Sequence, residues 1–337
     1  METISVIIPM YNEENYIKGF MDSLLQQDYD LSKVEFIFID GNSNDNTLKY
    51  LNEKMNGINV PFKILHNEKR ITPISLNIGI KNSVNDIIIR LDVHSEYPKN
   101  YFSKCVYYIN NIDADNVGCP IETISKGIIG NSIAEVLSSK FGVGNSKFRT
   151  DSKSGYVDTV PFGTFKRELF DKIGLFDERL ERNQDIELNN RIIKNGGKIY
   201  LFNDIKLTYH PRNTIKKLIQ MAITSGKWNI YTSYLIPGSL KLRHFVPLFF
   251  VLSLIIGIIL ILIPINIIKI FFLLEMILYI ALDLIFSFKS IKKLSFVGSL
   301  LCILIYPIFH ISYGIGSILG IGKIIKNKFI KGKDVKK

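Results

Sequence analysis

The chain has 337 residues and a formal charge of +11, room for one large domain or two smaller ones. Much of that charge sits in the last fifteen residues, where Lys323, Lys326, Lys328, Lys331, Lys333, Lys336 and Lys337 face only Asp334. No basic and aromatic recognition motif accompanies them, so no nucleic acid partner is expected. Cys105, Cys119 and Cys302 are odd in number and far apart, which excludes a disulfide framework and a Cys-x-x-Cys zinc site and fits a reducing compartment.

Ile4–Pro9, Val34–Asp40, Phe62–His66 and Asp86–Leu91 read as strands. Glu14–Gln27, Asp45–Met55 and Pro73–Ser83 between them have helical length and an apolar stripe. That alternation predicts βαβ units and a doubly wound, mainly parallel α/β sheet, with ligands beyond the carboxyl ends of its strands. Ile4–Met10 is too short for a signal peptide and runs straight into Tyr-Asn-Glu-Glu, so the soluble part is expected in the cytoplasm.

Polar clusters follow three of the strands. They are Pro9-Met-Tyr-Asn-Glu-Glu14, Asp40-Gly-Asn-Ser-Asn-Asp-Asn-Thr47 and Arg90-Leu-Asp-Val-His-Ser-Glu-Tyr-Pro98. Turns and helix caps use the same residue types, but three such clusters in order converge on one sheet edge. In an extended Asp92-Val93-His94, residues i and i+2 share a side, so carboxylate and imidazole can face one divalent cation. Such a cation would neutralise charge on a departing diphosphate.

Val157–Lys166 reads as a strand with a close backbone approach at Gly163. Asn183 is the expected N-cap of the next helix, with Ile186, Ile193, Leu188 and Ile192 as its apolar stripe. Asp185 then lies in the first turn, where the macrodipole favours a charged carboxylate able to act as general base.

From Phe245 to Gly322 the composition turns apolar. Phe245–Ile268 is 24 residues without a charge, about 36 Å as a helix and enough to span a bilayer. Ile270–Phe288 carries Glu275 and Asp283; Leu294–Gly322 contains Pro307. The positive-inside rule asks for Lys289–Lys293 and the terminal lysines on the cytoplasmic side. Both conditions hold if Leu294–Gly322 turns back near Pro307 or lies in the interface. Lys216, Lys217, Lys227, Lys241 and Arg243 alternate with Trp228, Tyr231 and Tyr234, as suits an interfacial segment contacting membrane lipids. The expected organisation is a catalytic domain over 1–212, an interfacial amphipathic segment over 213–244, a membrane region over 245–322 and a basic cytoplasmic tail over 323–337.

Taken together, Val6-Ile-Ile-Pro-Met-Tyr-Asn-Glu13, Asp40-Gly-Asn-Ser-Asn-Asp45, Asn77-Ile-Gly79, Leu91-Asp-Val-His94, Val160-Pro-Phe-Gly163, Phe176-Asp-Glu178 and Asn183-Gln-Asp-Ile-Glu187 resemble glycosyltransferase family 2. The likeness spans roughly residues 3–230 and is nearest the branch of the succinoglycan glucosyltransferase ExoA. It implies a GT-A fold and inversion by a single displacement. It further implies a UDP-sugar donor, a lipid-linked or polysaccharide acceptor, and Mn²⁺ or Mg²⁺ as cofactor. Pro9, Tyr11, Glu13, Asp40 and Asp92 would bind the nucleotide, Asp92 and His94 the metal, and Asp185 would be the base. His210, Arg212, Gln184 and Trp228 are candidate contacts to diphosphate or acceptor. Most members of the family have Asp where this chain has His94. The Gln-x-x-Arg-Trp motif of processive synthases is absent, since seven residues separate Gln220 from Trp228. An inactive sugar-nucleotide-binding scaffold and a sugar-phosphate nucleotidyltransferase are the alternatives, although the latter calls for a Gly-rich, Arg-containing loop where Tyr-Asn-Glu-Glu stands.

Overall fold

The computed structural model describes residues 2–150, 153–211, 213–260 and 266–334. The elements run β1 Ile4–Met10, α1 Ile17–Leu25, β2 Val34–Asp40, α2 Thr47–Met55, β3 Phe62–His66, α3 Thr72–Asn82, β4 Ile87–Arg90, β5 Ser95–Glu96 and α4 Tyr101–Asn111. Next come β6 Asn116–Gly118, β7 Ile121–Thr123, α5 Gly127–Ser138, α6 Lys140–Val143, α7 Lys147–Thr150, β8 Gly155–Tyr156 and β9 Thr164–Lys166. The remainder are α8 Glu168–Ile173, α9 Gln184–Lys194, β10 Ile199–Leu201, β11 Leu207–Tyr209, α10 Ile215–Leu235, α11 Val246–Leu260, α12 Asn266–Lys289 and α13 Phe296–Asp334.

These elements pack as two compact units. One holds the chain up to Glu122 together with Lys147–His210; the other holds Thr123–Ser146 and the chain from Pro211 onward. The expected domain 1–212 is therefore not one continuous body. The excursion α5–α6 packs its apolar side on the C-terminal helices instead of on the sheet.

In the first unit an eight-stranded sheet has the order β3-β2-β1-β4-β9-β6-β10-β8. The pairs β1/β2, β1/β4, β2/β3 and β6/β10 are parallel, while β9 is antiparallel to both its neighbours. Alternate residues of the central strands feed opposite cores. Val6, Ile8, Phe36 and Phe38 pack with Phe20, Leu51 and Phe102 on one face. Ile7, Ile37 and Ile39 pack with Leu76, Ile80, Leu188 and Ile192 on the other. Each such side chain contributes about 1.5–3 kcal/mol by leaving water, and burial on both faces explains the unbroken apolar runs of β1 and β2. The doubly wound, mainly parallel α/β architecture expected from the alternation is observed.

Local expectations fared unevenly. The four N-terminal strands and three helices form where expected, with ends shifted by a few residues at most. Val157–Lys166 is strand only over Thr164–Lys166, because Phe162 takes a left-handed φ of 48° that breaks the extended run. The close approach at Gly163 is real: a Cβ there would lie 2.3 Å from Asn116 Oδ1.

In the second unit α10 and α13 lie side by side in the same direction. Ile223 abuts Gly316, Gly226 abuts Tyr313 and Ser317, and Lys227 abuts Gly320, all at distances that leave no space for a Cβ. α13 runs unbroken through Pro307, so the chain does not turn back there. Ile305, Tyr306 and Phe309 are buried on either side of the proline and hold the helix across the missing hydrogen bond. Among the described residues two helices, Asn266–Lys292 and Phe296–Lys326, are long and apolar enough to cross a membrane. α11 is described over Val246–Leu260, and the uninterrupted span expected over Phe245–Ile268 runs on through residues 261–265, which lie outside the described residues.

Gly79 on α3 sits against β1, where an added Cβ would be 2.4 Å from Ile7 Cγ2 and 3.0 Å from Ile39 Cδ1. Gly79→Ala is expected to lower the stability of the first unit by about 1–3 kcal/mol despite its better helix propensity. Chemical denaturation followed by circular dichroism measures it.

Candidate active site

Two loops leaving the carboxyl ends of β1 and β2 are stitched together by backbone-to-side-chain hydrogen bonds. Asn12 N donates to Ser43 Oγ (2.9 Å), Asn44 N to Asn12 Oδ1 (2.9 Å), Glu13 N to Thr47 Oγ1 (2.6 Å) and Glu14 N to Asp45 Oδ2 (3.1 Å). The buried Asp40 accepts from the backbone N–H and the hydroxyl of Ser43, the latter at 2.6 Å. Its carboxylate thus shapes the loop directly. Beside it lies a cleft of about 260 Å³ lined by Pro9, Tyr11, Glu13, Gly41, Arg70, Arg90 and Asp92, among others. Tyr11 is half exposed at the mouth, with the Arg70 guanidinium 4.9 Å above its ring and Arg70 Nη1 donating to its hydroxyl at 3.1 Å.

Asp92-Val93-His94 is not the extended segment expected. The strand ends at Arg90, and the chain turns so that Asp92 Oδ1 accepts the His94 backbone N–H at 2.9 Å. The Asp92 carboxylate is thus turned onto the His94 backbone N–H. His94 Nε2 lies 3.2 Å from Glu13 Oε2, and its ring packs on Tyr16 with centroids 4.3 Å apart. β11 delivers His210 to the same place: its N–H donates to the His94 carbonyl (3.1 Å), and its Nε2 is 3.0 Å from Glu96 Oε1. Arg212 lies outside the described residues. Gln184 opens α9, while Trp228 is buried in the second unit beside Tyr231 and Lys323.

Among the described residues no three His, Cys, Asp or Glu side chains gather into a closed metal site. A carboxylate and an imidazole fit a cation whose remaining positions are filled by phosphate oxygens and water, as hard divalent ions at phosphate sites commonly have.

Asp185 lies in the first turn of α9. Asn183 occupies the N-cap position but is left-handed (φ 67°), and no side-chain cap hydrogen bond forms there. Leu188 and Ile192 are buried as expected, whereas Ile193 is exposed, because the face of α9 toward the sheet is narrower than the apolar pattern suggests. The half-buried Asp185 meets the buried Arg90, Nη1 to Oδ2, at 2.6 Å. The Arg90 guanidinium in turn lies 5.1 Å from the ring centroid of the strained Phe162. Burial pushes the Asp185 carboxyl above the usual range; Arg90 opposes this and nearby Asp92 adds to it. Desolvation therefore outweighs the Arg90 ion pair, and the carboxyl is more basic than an exposed aspartate. Arg90 and Arg70 are the site residues that sequence reasoning missed. The signal available was an Arg ending an otherwise apolar strand, two residues before Asp92.

The sequence profile of glycosyl transferase family 2 matches residues 5–174, half of the chain. The chain belongs to glycosyl transferase family 2. A relative from Methanococcus voltae, named dolichyl N-acetyl-alpha-D-glucosaminyl phosphate 3-beta-D-2,3-diacetamido-2,3-dideoxy-beta-D-glucuronosyltransferase, is 34% identical over 67% of this chain and 72% of its own. The succinoglycan biosynthesis protein ExoA of Rhizobium meliloti is 26% identical over 72% of this chain and 74% of its own. Among solved structures, the mannosyltransferase PcManGT from Pyrobaculum calidifontis, in complex with GDP-Man and Mn²⁺, matches 94% of the chain and 86% of its own (TM-score 0.58, 15% identity). The S. aureus TarS fragment 1–349, in complex with UDP-GlcNAc, matches 94% and 90% (TM-score 0.51, 14% identity). This family 2 chain therefore has the GT-A fold.

Replacing Arg90 by Met removes the one neighbour that opposes the rise of the Asp185 carboxyl. Its titration, followed by ¹³C NMR of labelled aspartate, is expected to move to higher pH in the variant.

Proposed function

We propose that this chain is a membrane-bound inverting glycosyltransferase. It moves a sugar from a UDP-sugar to a lipid-linked saccharide or a growing cell-surface polysaccharide on the cytoplasmic side. The observation that carries the reading is the cleft itself, which holds Asp92 and Arg90, the latter in contact with a basic carboxylate, Asp185. The names of the Methanococcus and Rhizobium relatives support the acceptor class, and the UDP-GlcNAc complex of TarS supports the donor.

Tyr11 and the loop held by Asp40 form the nucleoside end of the cleft. Asp92 and His94 would hold Mn²⁺ or Mg²⁺, which supplies positive charge to the leaving diphosphate. Asp185 accepts the proton of the acceptor hydroxyl as its oxygen bonds to the anomeric carbon. The bond from that carbon to the diphosphate oxygen breaks with its electron pair, releasing UDP. One displacement from the opposite face inverts the anomeric centre, and no second carboxylate nucleophile is required. Arg90 keeps Asp185 ionised against its burial and aimed at the cleft.

Membranes carrying the protein, given a panel of labelled UDP- and GDP-sugars with Mn²⁺ or Mg²⁺, test this directly. Asp185→Asn is expected to lower transfer by at least about 100-fold while nucleotide binding persists, as for loss of a general base. Transfer that survives the substitution rules Asp185 out as the base. Because the base must be deprotonated and its carboxyl is shifted upward, activity falls on the acid side at a pH above the ordinary carboxylate value of about 4. Arg90→Lys should move that limb less than Arg90→Met, which moves it further up.

Asp92→Asn keeps an oxygen to accept the His94 N–H and so preserves the turn. It should nevertheless weaken Mn²⁺-dependent UDP binding by about 10-fold or more in calorimetry, a typical cost of disturbing a metal site. Unchanged Mn²⁺ dependence in both Asp92→Asn and His94→Ala removes the pair from the metal role.

A further inference from the structure

α13 has the length and composition of a transmembrane helix, yet the helices packed along it carry charge. α5 lies against its first half: Ser132 Oγ donates to the Gly298 carbonyl at 2.8 Å, Tyr306 donates to Ser139 Oγ at 2.8 Å, and Lys293 bonds Glu135 at 3.0 Å. His310 Nε2 meets the Phe141 carbonyl at 3.0 Å. α10 lies against its second half through Gly226, Gly316 and Gly320, backbone to backbone. Extending that register places Lys216 and Lys217, both exposed, near Phe309, close to the middle of the Phe296–Lys326 stretch. A helix crossing the bilayer here would carry those two ammonium groups to the hydrocarbon centre, where charge is least tolerated.

The other side of α13 presents Phe296, Leu300, Leu304, Ile311, Ile315 and Leu319, all exposed and in one helical stripe. One apolar stripe opposite a charged, protein-covered face is the disposition of a helix lying in the plane of a membrane surface. α11 and α12 differ. Phe272 packs on Gly257 and Ser253 donates to Glu275, so the two helices pack antiparallel. The distal half of α12, from Ile267 to Ile280, is largely exposed and apolar except for Lys269 and Glu275. Lys289, Lys292 and Lys326, all exposed, stand near the ends of the stripe and complement anionic headgroups.

We infer that α13 is an in-plane helix whose exposed stripe rests on an anionic bilayer, with both its ends on one side. α5 and α10 clamp its other face, and the antiparallel pair of α11 and α12 is the element that enters the hydrocarbon. The inference rests on the membrane attachment proposed above and is independent of the sugar chemistry.

The full-length protein in phosphatidylethanolamine–phosphatidylglycerol vesicles provides the test. Nitroxide labels are placed singly at Leu300, Leu304, Ile311, Ile315 and Leu319, and at Ile270, Leu274 and Ile277. Immersion depth is read from collisions with oxygen and with a water-soluble nickel chelate. The α13 sites are expected to share one shallow depth, with the α12 sites deeper. Depth that rises to the bilayer centre near Ile311 and falls beyond it overturns the inference. As a second measurement, Ser295→Cys and Lys326→Cys should both react with a membrane-impermeant maleimide from the same side of sealed vesicles, against the unreactive buried cysteines of the parent. Reaction from opposite sides overturns it equally. A protein that fails to bind the vesicles sinks the membrane attachment as well, whereas bound protein with a crossing α13 sinks this inference alone.

Discussion

A buried guanidinium without a partner is among the costlier things a protein interior can hold, and here Arg90 ends a central strand with its side chain almost out of water. Its partner comes from ninety-five residues further along the chain, in Asp185. Satisfying that pair fixes where α9 must begin, at the carboxyl edge of the sheet beside the cleft. The left-handed turn at Asn183 and the strained φ of Phe162 lie on either side of the pair.

The same pair explains how a carboxylate can be both charged and basic. Burial raises its proton affinity, while the adjacent guanidinium limits the rise. Any ligand that brings negative charge toward Arg90 competes for that guanidinium, and Asp185 then becomes more basic. Charge entering the cleft and the basicity of Asp185 are therefore coupled through one side chain. Asp92, which already raises the Asp185 carboxyl, is part of that circuit.

The sheet was legible because parallel strands buried on both faces read as near-continuous apolar runs, as Phe36–Ile39 does within Val34–Asp40. The polar loops at their ends were legible for the complementary reason, since only strand ends tolerate so many side-chain acceptors in a row. Arg90 was not legible. A charged residue closing an apolar strand looks like the point where the strand reaches water, and only the fold shows that Asp185 covers it. The turn at Asp92–His94 was hidden likewise, because an Asp two residues before His reads equally as period-two spacing and as a turn closed by the Asp carboxylate. Asn183 misled because Asn serves both as an N-cap and as a left-handed residue. The excursion α5–α6 was missed because an apolar stripe at helical spacing does not say whether it covers a sheet or another helix.

That last ambiguity governs the C-terminal helices too. Apolar side chains are equally content against protein and against lipid, so hydropathy ranks α12 and α13 together. What separates them is the chemistry of what they touch. α13 buries Gly316 and Gly320 against the backbone of α10, a helix whose exposed lysines keep it out of hydrocarbon, and α13 must stay with it. The distal half of α12 packs on α11 and meets α13 through Tyr279 and His310, but does not lie along α10. Where a helix lies relative to a bilayer is thus decided by the least lipid-soluble group rigidly attached to it, and that group can belong to a different part of the sequence.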